Sequence, residues 1–264
     1  MRKVWHHLQR MEFREEKMMR RAICFGVLVL SSLAIGVSAA ESEAAATQAA
    51  PPQPQAPSKV IALAPVLAPA KFSIVNSGSA LAFVPGGAWG QKGIDAGRRA
   101  EFVEVLQAQK LDFGAEMMVA LKAALTENGV QVVSLDEIKY VKDDPRTLEY
   151  KQLKSSTNLV LAVNIDEVGL YSGRLTSTYL PRFNVSFGLV DRRTEDAFYE
   201  PTIYYGVDAR KNSEDQILAD PQYIFESYGQ AMERGEHMAA AFREGIRKVA
   251  ALAARQVRDV KIKP

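Results

Sequence analysis

The chain has 264 residues, room for one or two domains, and its 47% apolar and 24% charged residues are the ordinary balance of a globular protein. The formal net charge is +2, but residues 1–40 hold seven Lys/Arg against three Asp/Glu, leaving 26 basic and 28 acidic residues beyond them. A body so close to neutral gives no reason to expect nucleic-acid binding.

Residues 19–40, MRRAICFGVLVLSSLAIGVSAA, carry the clearest local signal. Arg20 and Arg21 form a positive head, and Ala22–Val37 is an apolar run shorter than the ~20 residues that span a bilayer. Ser38-Ala39-Ala40 then presents small residues at the cleavage-defining positions, so the sequence predicts an export signal cleaved after Ala40. The alternative is an uncleaved anchor, which would be the chain's one attachment to a membrane. Residues 1–18 are charged and unlike a signal head, and Met18 or Met19 would make an ordinary start for export. Cleavage would remove Cys24, the single cysteine, and with it any disulfide or thiol chemistry. The expected location is the periplasm.

Glu41–Lys59 contains no large apolar residue and reads as a disordered Ala/Pro/Gln tether, with one globular domain over 60–264. Val60–Leu67 is apolar but interrupted by Pro65, which suggests an edge strand or an extended arm. Phe72–Val75 and Ala80–Val84 read as short strands, the second stopped by Pro85-Gly86-Gly87. Gly86–Gly97, with Trp89 and Lys92, is predicted as a surface loop, and Arg98–Lys110 as a helix. In Ala115–Ser134, Met117, Met118, Leu121, Ala124 and Leu125 share one helical face, Asn128-Gly129 supplies a stop, and Val130, Val132 and Val133 continue as a strand. Pro145–Lys154 is read as a helix capped by Asp144.

Leu159–Ile165, LVLAVNI, is the strongest strand, apolar on both faces until Asn164 and Asp166 open one of them. Phe183, Val185, Phe187 and Leu189 alternate with Asn184, Ser186 and Gly188; DRRTED turns the chain; Phe198–Val207 returns as the second arm of an antiparallel hairpin. From Ile217 the chain is mainly helical, with possible breaks at Gly229 and Gly235 and a face of Phe242, Ile246, Val249, Ala253 and Val257. The fold expected is α/β (α+β): a single domain with a mixed sheet of about five strands and an antiparallel hairpin, packed by helices over 115–128 and 235–260.

The chemistry is defined mostly by what is missing. Beyond the signal there is one histidine, His237, and no cysteine, so a Cys/His zinc site has no ligands. No carboxylate run has calcium-loop spacing, no G-x-S-x-G occurs, and PGGAWGQKG fails the phosphate-loop pattern because Gly93, not Ser/Thr, follows Lys92. His237, beside Glu233 and Glu236, reads as a surface histidine. The pairs Asp166/Glu167, Asp143/Asp144 and Glu195/Asp196 read as solvated charges near strand ends and turns. No catalytic residue, metal ligand or cofactor site is assigned. The partner-binding candidates are Trp89 and Lys92 in the loop, Arg192 and Arg193 in the hairpin turn, and Tyr204 on the return strand.

With the elements in order, ALAFVP, LKAALTENGVQVVS, NLVLAVNI and GLVDRRTEDAFY with its return strand resemble the exported α/β module of TolB-type amino-terminal domains and curli-secretion channel subunits. The resemblance spans about residues 80–257 and is a pattern of elements, with no signature residues to carry over. It implies a non-enzymatic accessory of envelope assembly or transport, with an envelope protein or a second copy as partner. The chain departs from it in lacking a lipid-attachment cysteine and propeller repeats. An envelope hydrolase or small-ligand-binding enzyme using carboxylates or His237 stays open at this point.

Overall fold

The sheet is organised by its longest strand, β6 (Leu159–Ser172), which pairs antiparallel along nearly its whole length with β7 (Leu180–Asp191). The structure is a computed structural model that describes residues 59–76, 87–135, 137–173, 176–206 and 215–262, with side chains in the first helix described from Gly93. All of these lie in one compact unit, Pro52–Pro264. The expected cleavage site at Ala40, the tether as far as Ser58 and the Ala80–Val84 strand lie outside the described residues; Lys59, read as the tether's last residue, belongs to the described fold.

In chain order the elements are β1 (Val60–Leu63), β2 (Lys71–Asn76), α1 (Gly87–Ala108), α2 (Phe113–Glu127), β3 (Gln131–Val133), β4 (Tyr140–Val141), β5 (Asp144–Leu148), β6, β7, β8 (Ala197–Tyr199), β9 (Thr202–Tyr205), β10 (Gln216–Ile217), α3 (Tyr228–Glu233) and α4 (Gly235–Asp259). The fold is mixed α/β, with eight strands in the main sheet where about five were expected. Its order is β10-β9-β7-β6-β1-β3, with β2 added on β6 and β8 on β7; β4 and β5 form a separate hairpin.

Helices α1, α2 and α4 cover one face. Leu161, Val163 and Ile165 of β6 and Phe183, Val185 and Phe187 of β7 point into the helical layer and are 0–4% exposed. Period-two alternation delivers that row, and each large apolar side chain so buried contributes roughly 1.5–3 kcal/mol. α2 begins at Asp112, whose carboxylate accepts from Ala115 N–H at 3.0 Å, and ends at Gly129, whose φ of +74° is the left-handed stop. Met117 is fully buried, a packing residue. α4 is fastened at its end by Lys59, whose ammonium donates to the carbonyls of Val257, Arg258 and Val260 at 2.6, 3.1 and 2.8 Å.

Three local expectations are corrected. Val60–Leu63 is no edge strand: β1 lies inside the sheet, parallel to both β3 and β6. Ile61 and Leu63 enter the helical layer while Ala62 and Ala64 face the other way, so both of its faces are covered. Gly87–Gly97 is not a loop but the first half of α1. The well-anchored second half, with Phe102 and Leu106 buried, nucleates the helix, and extending it backwards costs little because Pro85 lies ahead of the first turn.

Pro145–Lys154 is not a helix either. Asp144 accepts from Arg146 N–H (3.0 Å) and from the Thr147 hydroxyl (2.6 Å), an Asx turn opening β5 rather than a helix cap. The β4–β5 hairpin and the short turn Tyr150–Gln152 then lay Leu148 and Leu153 on Ala62, Ala64 and Val160, covering part of the sheet's second face. In the C-terminal region the chain breaks at Arg234–Gly235 as expected, whereas Gly229 lies inside α3.

Candidate functional site on the open face of the sheet

The second face of β2, β6, β7 and β9 is polar where the first is apolar. Lys71 and Ser73, Asp166 and Glu167, Arg182, Asn184 and Ser186, and Thr202 and Tyr204 form a row across those four strands. Among the described residues, the β4–β5 hairpin covers the β1 end of this face, and the row continues away from it.

A β-bulge builds the centre. Ile165 pairs with Val185 and Glu167 with Asn184, so Asp166 is an extra residue in β6. Two consecutive carboxylates therefore belong to the same face, a placement regular pleating forbids. Asp166 Oδ2 accepts from the Ser186 hydroxyl at 2.6 Å, and the Ser186 and Thr202 hydroxyls are 3.1 Å apart. Burial raises the Asp166 carboxyl above the usual carboxylate range, against the opposing pull of the Ser186 hydrogen bond and the Arg146 charge. Arg146, reaching in from β5, donates to the Ala68 carbonyl at 2.6 Å and so stands between the covering hairpin and the row.

Glu167 has the opposite character. It accepts from Arg182 Nη2 at 2.7 Å and sits 3.3 Å from Lys71. Burial raises its carboxyl, but the hydrogen bond from Ser73 and the charges of Arg182 and Lys71 outweigh that and leave it below its ordinary value. Arg182 is 8% exposed and lies 5.9 Å from the centre of the Tyr171 ring. Next to this pair, Asn184 Oδ1 is buried with no hydrogen-bond partner among the described residues. An orphaned buried acceptor is costly, and a donor supplied from outside would remove the cost.

The sequence-predicted residues divide. Tyr204 belongs to this face, half-buried, its chain neighbour Tyr205 facing the helices. Arg192 is structural: it donates to the carbonyls of Thr157 and Leu153 at 3.2 and 3.3 Å, tying the hairpin turn to the start of β6. Arg193 is exposed and 3.7 Å from Asp191. The side chains of Trp89 and Lys92 lie outside the described residues. Asp166 and Glu167 are mid-strand and half-buried, not solvated charges at a strand end, because the bulge turns both toward the row. His237 packs its ring on Tyr223 and Phe225 and hydrogen-bonds the Gln222 carbonyl at 2.9 Å, remote in sequence and in fold from the row. Asn184 and Ser186 were legible only as the polar half of an alternating strand; Thr202, Arg146 and Arg182 gave no signal of their own.

Chemically, the face offers hydroxyl, amide, carboxyl and guanidinium groups held by a rigid sheet. Among the described residues no group of three or more His, Cys, Asp or Glu side chains could hold a metal ion, and no helix is long and apolar enough to cross a membrane.

No protein-family model matches the chain, and no curated protein matches it. Among solved structures, it is similar to a minor lipoprotein from Acinetobacter baumannii (20% identity, 55% of this chain and 84% of that one, TM-score 0.32). It is similar also to a neuraminyllactose-binding hemagglutinin homologue from Helicobacter pylori (13%, 76% and 83%, 0.36) and to a hypothetical protein from Chlamydia trachomatis (13%, 75% and 96%, 0.36). None of the three is described as a TolB-type or curli-secretion protein, and likenesses at this level carry no argument about what the chain does.

Proposed function

We propose that this is an exported, non-catalytic envelope protein that holds a partner protein against the open face of its sheet. The observation that carries the reading is the polar row itself: hydrogen-bonding side chains on four adjacent strands, half-buried, fixed by ion pairs and a bulge, with one buried acceptor left unmatched at Asn184. A partner that supplies a donor to Asn184 and packs on Tyr204 would complete a hydrogen bond that none of the described residues makes. The signal at residues 19–40 supports export to the periplasm, and the Ala/Pro/Gln tether supports a domain presented at a distance from its point of release.

The test is site-specific photocrosslinking in intact cells. A photoreactive residue at Tyr204 should give an adduct of one discrete mass, and the same residue at Glu104, exposed on α1, should not. Asn184→Ala and Tyr204→Ala should each weaken the adduct at a neighbouring probe. Equal labelling at both positions, or an ester or glycoside hydrolysis that Ser186→Ala abolishes, would refute the proposal.

A further inference from the structure

The helical layer carries a second surface, unrelated to the open face. α2 and α4 lie side by side and run in the same direction: Glu116 meets Arg243 at 3.0 Å near their starts, and Arg258 donates to Asn128 at 3.2 Å near their ends. Their outer sides leave a trough of about 640 Å³. Ala120, Ala123, Ala124, Ile246 and Ala251 line it, and Val119, also in its lining, is 69% exposed, the most exposed large apolar residue among those described. Glu127 flanks the trough on α2 and Arg247 on α4, and neither has an ion pair among the described residues.

From these observations we infer that the trough is the contact surface for a second copy of this chain, related by a two-fold axis through Ala123. The two interhelical contacts set the alignment, placing Arg247 level with Val119 and Ala120, and Ala251 level with Ala123. At a rise of about 1.5 Å per residue, Arg247 then sits roughly 5–6 Å to one side of Ala123 along the trough, and Glu127 about as far to the other. A two-fold axis at Ala123 reverses the direction and exchanges the two sides. Lying across the helices, it sets α2 over α2 and α4 over α4 and brings Arg247 of each copy level with Glu127 of the other across the trough, twice, within reach of these two long side chains.

The small side chains at the axis fit the same arrangement. Alanines at 120, 123, 124 and 251 let the two helical layers approach closely, and the exposed Val119 of each copy is covered by the other copy's Ala123 and the stem of its Glu127. A partner unrelated in sequence would need its own acidic and basic groups at this spacing; a second copy brings them by symmetry. The open face of the sheet stays free in the pair, because it is on the opposite side of the strands from α2 and α4.

Sedimentation velocity on the exported protein, at tens of micromolar and low salt, tests this. The wild type should sediment at twice the mass of one chain. Glu127→Arg and Arg247→Glu each set like charges together at both contacts and should weaken association at least tenfold. The double variant Glu127→Arg/Arg247→Glu restores opposite charges across the axis and should dimerise again, which a merely destabilised fold would not do. Val119→Glu, at a position solvated in the single chain, should also give monomers with an unchanged circular dichroism spectrum. A monomeric wild type at 200 µM, a dimer indifferent to Glu127→Arg, or a double variant no better than the singles would overturn the inference. Loss of the dimer with the Tyr204 crosslink intact would leave the proposed function standing, so the two readings fail separately.

Discussion

Gly245 lies in the middle of α4, where alanine is ordinarily the better helix former by about 1 kcal/mol. Here the sign should reverse. A Cβ at 245 would come within 2.7 Å of Phe183 Cε1 and 2.8 Å of Tyr205 Cδ1 and Cε1. Both rings are 1% exposed and are locked against each other, with centroids 5.1 Å apart; Phe183 is also packed on Phe113 and Phe242, and the Tyr205 hydroxyl donates to the Ala241 carbonyl. Neither ring is the free end of a flexible side chain, so the helix must lift from β7 and β9. Overpacking of this kind costs typically about 1–3 kcal/mol against a propensity gain of about 1 kcal/mol, and with both rings locked the cost prevails, leaving Gly245→Ala destabilised by up to about 2 kcal/mol. Gly97→Ala is the internal control: it is also helical, but a Cβ there meets nothing within 4 Å, so only the propensity gain of up to about 1 kcal/mol remains. Urea unfolding followed by circular dichroism should show the two midpoints moving in opposite directions at constant m-value. If Gly245→Ala matched or exceeded Gly97→Ala in stability, the close approach of α4 to the sheet would be refuted.

Three further outcomes follow from the charged groups. Asp166, held above its ordinary range by burial, binds its proton more tightly folded than unfolded, so it favours the fold in acid and costs stability as the pH rises through its raised folded value. Asp166→Asn should therefore raise the melting temperature relative to wild type at pH 8 and give no gain at pH 3; an equal gain at both would sink the argument. Glu167 lies net below its ordinary value, so its contribution is full above the unfolded carboxylate range and disappears as the pH falls through its folded value. Glu167→Gln leaves the buried Arg182 with a neutral acceptor and should cost about 2 kcal/mol at pH 7, read by urea unfolding, with a much smaller difference from wild type in acid. Lys59→Met keeps the length of the side chain but strips three carbonyls of their donor, and should cost about 1–2 kcal/mol, with hydrogen exchange speeding up first in the last turn of α4.

What the sequence disclosed is what short-range physics decides. The α2 helix with its Gly129 stop, the β6 and β7 strands and the apolar face of α4 are each written in periods of 3.6 or two and punctuated within a few residues. β1 is different: VIAL carries no sign of being interior, because its two neighbours, β3 and β6, come 70 and 100 residues later in the chain or thereabouts. Asp144-Pro145 was ambiguous on its own terms, since an Asp before a Pro can cap a helix or open an Asx turn. The choice was made by Leu148 and Leu153, which bury on Ala62 and Val160 as a hairpin and short turn. The glycines at 90, 93 and 97 resemble a loop, yet a helix anchored at Phe102 and Leu106 runs back through them.

The open face shows the same division more sharply. Alternation placed Asn184 and Ser186 on the solvent side, and Tyr204 stood out as an aromatic on the return strand, so a third of the row was legible in the sequence. The bulge was not, because no Gly or Pro marks it; Asp166 is an extra residue only when β6 is counted against β7. That one insertion gives the face its two unlike carboxylates. In a regular strand Asp166 and Glu167 would point to opposite faces, and one of the two charges would enter the helical layer among Val168, Phe183 and Val185. The bulge averts that burial and sets Asp166 on Ser186 and Glu167 on Arg182 instead. Deleting Asp166 is therefore a direct test of the bulge. With the extra residue gone, Ile165 stays opposite Val185 and Glu167 opposite Asn184, and every other side chain keeps its face, so the deletion should leave a regular strand and a folded protein by circular dichroism and urea unfolding; a deletion that abolished folding would refute the bulge.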